Sequence, residues 1–77
     1  MGNTAINIEN LRMARDRAHD RADAAVLAAD EAGSLFIDGK IPVEDFEAKK
    51  RASLAAIAEF EQAETAYLEA FRRLSLK

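Results

Sequence analysis

Cysteine is absent from the chain. Disulfide staples and thiolate metal sites, two common supports of a small domain, are therefore excluded, and the composition fits a reducing compartment. Proline occurs once and glycine three times, so the backbone has few places to turn. Apolar runs are short. None approaches the ~20 residues that span a bilayer, and the opening "MGNTAINIENL" lacks the apolar stretch of a secretory signal. Met1-Gly2 resembles the start of a myristoylation signal, but Ile6 stands where that signal needs serine or threonine. A cytoplasmic protein with no membrane partner is expected.

Charge of one sign is also scarce. Fourteen acidic and eleven basic residues leave a net charge of −3, distributed along the chain without an acidic or basic tail. The one basic cluster, Lys49-Lys50-Arg51, is hemmed in by Glu44, Asp45 and Glu47. It reads as a mixed-sign helix surface, so nucleic acid is not an expected partner.

Catalytic chemistry has little to work with. The hydroxyl groups are Thr4, Ser34, Ser53, Thr65, Ser75 and Tyr67, and His19 is the only histidine that could act as base, so no triad can be assembled from these residue types on one helical wheel. There is no glycine-rich phosphate loop, and no helix-turn-helix with its short recognition helix. Asp16, His19 and Asp23, level with Glu61 and Glu64 on a facing helix, have the residue types of a carboxylate and histidine metal site in a helical bundle. Helical geometry points the first three about 100–160° away from the direction of Ala18. They read instead as a solvated face, with Arg12–Asp16 and His19–Asp23 as weak pairs. No catalytic residue, metal ligand or cofactor is expected.

What the chain does contain is helical pattern. No segment alternates apolar and polar residues as a strand would. The breakers Gly39 and Pro42 fall together in "IDGKIPVEDF", and they divide the chain once. Upstream, Asn7, with Thr4 as a competitor, suits an N-cap ahead of Ile8. Helical character then runs to Ile37. Downstream, Glu44, Asp45 and Glu47 lie in a first turn and Arg72, Arg73 and Lys77 near a last one, the order that the helix dipole favours. The expected fold is all-α: one domain over 1–77, with a helix over 8–37, a turn over 38–43 and a second helix over 43–75. Pro42 suits the first helical position or a place just outside it. Gly33 would cost ~1 kcal/mol against alanine inside a helix, which allows a bend or early fraying.

The two helices carry different stripes. Steps of three and four along the second mark Phe46, Lys50, Ser53, Ile57, Phe60, Glu64, Tyr67, Phe71 and Leu74, a mostly bulky face. The same steps along the first mark Ile8, Leu11, Arg15, Ala18, Ala22, Ala25, Ala29, Ala32 and Phe36, a mostly small one. Folded antiparallel about the turn, residues whose numbers sum to 82 become level, for example Ala22 with Phe60, Ala25 with Ile57 and Phe36 with Phe46. Large opposite small lets two axes approach closely. The expected seam is therefore Leu11, Ala18, Ala22, Ala25, Ala29 and Phe36 against Phe46, Ile57, Phe60 and Phe71. Glu64 interrupts it level with Ala18, where Arg15, Arg21 and Tyr67 could meet its carboxylate.

A single hairpin has one line of contact, and 77 residues is close to the size at which a domain is marginal alone. Met13, Ala24, Ala28 and Leu35 lie to one side of the first helix's seam; Ala52, Ala56, Ala63, Tyr67, Ala70 and Leu74 lie to the same side on the second. Arg17, Arg21 and Lys49 interrupt this face. It is the expected interaction face, and two copies meeting there would form a four-helix bundle. The chain thus reads as a non-catalytic module that forms a homodimer and binds or occludes another protein, as adaptors, escort chaperones and inhibitors do. An obligate subunit of a hetero-complex is the alternative within that class, and a carboxylate/His metal-binding bundle the alternative outside it.

Overall fold

The computed structural model describes residues 3–75, with side chains from Ile8 onward. Two α-helices, α1 (Asn3–Ile37) and α2 (Val43–Ser75), pack against each other, and the described residues contain no strand. Because α1 begins at Asn3, Asn7 and Thr4 lie within it and neither is its cap. The side chains of both fall outside the described part.

A glycine and a proline make the turn. Gly39 adopts φ +74°, the left-handed conformation that a β-carbon disfavours by about 1–2 kcal/mol. Its amide donates to the carbonyl of Phe36 at 3.0 Å, and the amide of Lys40 donates to that of Leu35 at 2.8 Å. This pair of bonds is the Schellman closure, which satisfies carbonyls left without partners at a helix end. Pro42 lies just outside α2, and its carbonyl accepts from Asp45 at 3.1 Å and Phe46 at 3.4 Å. Lacking an N–H itself, proline loses nothing at such a position. Glu44 and Asp45 begin α2 and Arg72 and Arg73 end it, so both termini carry the charge that the dipole favours.

The antiparallel crossing follows the small-against-large pattern. Ala18, at 2% exposure, Ala22 and Ala32 are buried, and Ala25 and Ala29 are half-buried. Opposite them Phe46, Ile57, Phe60 and Tyr67 are half-buried and Ser53 is buried. The Ser53 hydroxyl donates to the carbonyl of Lys50 at 2.7 Å, one turn back on its own helix, so its burial leaves no unpaired polar atom. Phe46 stacks on Phe36 with centroids 5.6 Å apart and also reaches Gly33. Phe60 meets His19 edge-on at 5.2 Å. Each aromatic thus contacts one residue at the level expected or three positions from it, as ridges settling between neighbouring side chains do.

Gly33 does not end α1, which continues to Ile37. A β-carbon there would stand 3.3 Å from Cε1 of Phe46. The glycine marks the close approach of a ring, and its low helix propensity is the cost of admitting that ring.

The resulting rod measures 57 × 15 × 13 Å, with a radius of gyration of 17.3 Å, against about 11 Å for a compact chain of this length. Its accessible surface is 5808 Å², about 1,100 Å² more than the ~4,700 Å² usual for a folded monomer of this mass.

Candidate interaction faces

No side chain larger than alanine is both apolar and fully buried among the described residues. Large apolar side chains lie outside instead: Ile37 is 82% exposed and Leu27 60%, and Met13, Val26, Leu35, Val43, Leu54, Leu68 and Leu74 are all exposed. Hairpin formation covers one stripe of each helix and leaves two flanks.

The first flank is the one read from the sequence as an interaction face. Ala24 and Ala52 are exposed, as are Met13, Leu35 and Leu74, while Ala28, Ala56, Ala63, Tyr67 and Ala70 are half-buried at its edge with the seam. Near the turn the two helices frame a shallow groove lined by Ala28, Glu31, Ala32 and Leu35 from α1, and by Ile41, Asp45, Ala48 and Lys49 from the turn and α2. Ala28 and Leu35 therefore share a side of the hairpin with Lys49.

The opposite flank is more apolar than its sequence suggests. A second groove, lined by Arg15, Asp16, His19, Phe60 and Glu64, opens on that side, and helical spacing sets Val26, Leu54 and Leu68 along it. These residues stand outside both stripes, which is why a search for the dominant stripe passes over them. Their signal was the register: Val26 and Leu54 become level only after the hairpin closes. Leu27 points directly away from the seam.

Among the polar residues, His19 is exposed, as a solvated face requires, and its ring also meets Phe60 edge-on across the hairpin. His19 Nδ1 lies 3.5 Å from Asp23 as expected, and 3.9 Å from Asp20. Arg12 pairs with Glu9, one turn back, rather than with Asp16. That bond, and then the charge of Glu9, raise the guanidinium pKa above its ordinary value. Arg15 does not bridge to Glu64. It lies over the Tyr67 ring at 4.6 Å and bonds Asp16 at 3.1 Å, leaving Glu64 half-buried at the edge of the groove. Phe71, expected in the seam, is 52% exposed and lies beside Tyr67 with centroids 6.2 Å apart, where the facing side chain is the half-exposed Leu11.

Among the described residues no group of histidine and carboxylate side chains converges as a metal site would require, and no buried polar side-chain atom lacks a partner. No helix there is long and apolar enough to cross a membrane. The grooves are open and shallow, and large apolar side chains are exposed on both flanks. The chain matches no protein-family model, no curated protein and no solved structure.

Proposed function

We propose that this chain is a non-catalytic protein-interaction module, a helical hairpin that pairs with a second copy as a four-helix bundle and binds or occludes another protein. One observation carries the reading: among the described residues the buried ones are Ala18, Ala22, Ala32 and Ser53. Three alanines and a serine are a small fraction of the core that a chain of this length needs for net stability. The ~12,000 Å² of an unfolded chain of this mass falls only to 5808 Å², so folding the hairpin alone hides little more than half of it. Association is the remaining source of stabilisation, since disulfides are absent. The flank carrying Ala24, Ala28, Ala52 and Ala56 suits a close helix-on-helix contact. The opposite flank, with Val26, Leu54 and Leu68, stays uncovered in such a dimer and is available to a different protein.

Sedimentation and thermal melting of the full chain across a hundredfold concentration range test this. A dimer at micromolar concentration, with a midpoint that rises with concentration, is the expected result. A well-folded monomer whose melting ignores concentration would overturn the reading. A partly unfolded monomer would transfer it to an obligate subunit of a hetero-complex.

A further inference from the structure

We propose that the face covered by the second copy is the one centred on Ala24, Ala28, Ala52 and Ala56, and that its four surrounding charges make it complementary to itself. This inference rests on the self-association reading above and adds the surface and the pairing. The four charges that frame the alanines are Arg21 and Glu59 on the side of the chain termini, and Glu31 and Lys49 on the side of the turn; Arg17, toward the termini, and Asp45, toward the turn, lie beyond them with opposite signs. The contacts Arg15–Tyr67 and His19–Phe60 set the register, which brings Arg21 level with Glu59 and Glu31 level with Lys49 to within a residue or two. Glu31, Lys49 and Ala28 line one groove, so these two charges share a side of the hairpin with Ala28, and helical spacing sets Ala24, Ala52 and Ala56 along the same side. All four charged residues are exposed, and among the described residues none of them is in an ion pair.

Going around the alanines, the corners alternate in sign. A two-fold axis lying in this face, whether along the hairpin or across it, exchanges every positive corner with a negative one. Along the hairpin, Arg21 meets the second copy's Glu59 and Lys49 its Glu31; across it, Arg21 meets Glu31 and Lys49 meets Glu59. No like charges are opposed in either arrangement, and alanine always meets alanine. An isologous contact requires this kind of self-matching.

The opposite flank lacks the property. There a two-fold along the hairpin sets Asp16 against Glu64, and one across it sets Glu47 against Glu61, so like charges meet in both cases. Area agrees with a second copy as the occupant. The excess surface of about 1,100 Å² over a typical monomer is comparable with the ~800 Å² that each partner buries in a stable interface.

The test uses two full-length double variants. Arg21→Glu with Lys49→Glu makes all four corners acidic; Glu31→Lys with Glu59→Lys makes them all basic. By sedimentation, each variant alone should dimerise at least tenfold more weakly than the parent chain, and an equimolar mixture should recover the dimer as a heterodimer. Should either variant lose helicity by itself, circular dichroism of the mixture must show it regained. A parent chain that dimerises alongside variants that dimerise equally well, or a mixture that stays monomeric, would overturn the assigned face while leaving self-association standing. A parent chain that is a folded monomer would overturn self-association itself.

Discussion

Phe46 lies against Gly33, its ring edge 3.3 Å from the position a β-carbon would take. The other face of its environment is Phe36, whose ring is nearly parallel to it at an interplanar angle of 6°. This trio sits one turn from the bend. It fixes how close the helices come before the chain reverses.

Substitutions at Gly33 therefore separate propensity from packing. Alanine gains ~1 kcal/mol of helix propensity, and the half-buried Phe46 has room to shift by a few tenths of an ångström at the edge of the rod. Gly33→Ala should raise the urea midpoint slightly. Gly33→Val adds methyl groups that the stacked rings cannot accommodate and should destabilise by roughly 1–3 kcal/mol. Equal stabilisation by both would mean that Phe46 does not bear on this position.

Overpacking should be felt on one stripe only. Ala18 is the most buried of the described residues, at 2% exposure, and Ala18→Leu should cost roughly 1–3 kcal/mol in denaturant unfolding. Ala55 is exposed, and Ala55→Leu should stay within about 0.5 kcal/mol. Measurement at a fixed chain concentration keeps association from masking the difference.

Arg15 and Tyr67 hold the hairpin nearer its termini. The guanidinium over the ring at 4.6 Å is worth ~0.5–1 kcal/mol at an exposed site. A double-mutant cycle with Arg15→Ala and Tyr67→Leu should return a coupling of that size. Its persistence in high salt would distinguish ring contact from simple charge attraction, because salt screens exposed charges. A coupling near zero would show that Arg15 serves Asp16 alone.

Parts of this molecule are legible without coordinates because they depend on neighbours in the chain. Gly39 and Pro42 announce the turn through the φ angle one permits and the N–H the other lacks. The spacing of Ala18, Ala22, Ala25, Ala29 and Ala32 announces the small stripe, and Phe46, Ile57 and Phe60 the large one. The sequence shows Gly33 only as a weak helix former, because Phe46, which packs on it, is distant along the chain. A helical wheel places His19 on the solvated face, where it is found, but cannot show that a ring of the next helix reaches its edge.

Local periodicity, turn chemistry and the alternation of small and large residues thus determined two helices, one reversal and an antiparallel seam. Tertiary structure alone decided that Phe46 would pack on Gly33, that Arg15 would choose the Tyr67 ring over Glu64, and that Val26 and Leu54 would come level on an open flank. The physical reason is that backbone preferences act over a few residues, whereas the direction a long side chain takes depends on what the facing helix offers at that level, which exists only once the hairpin has closed.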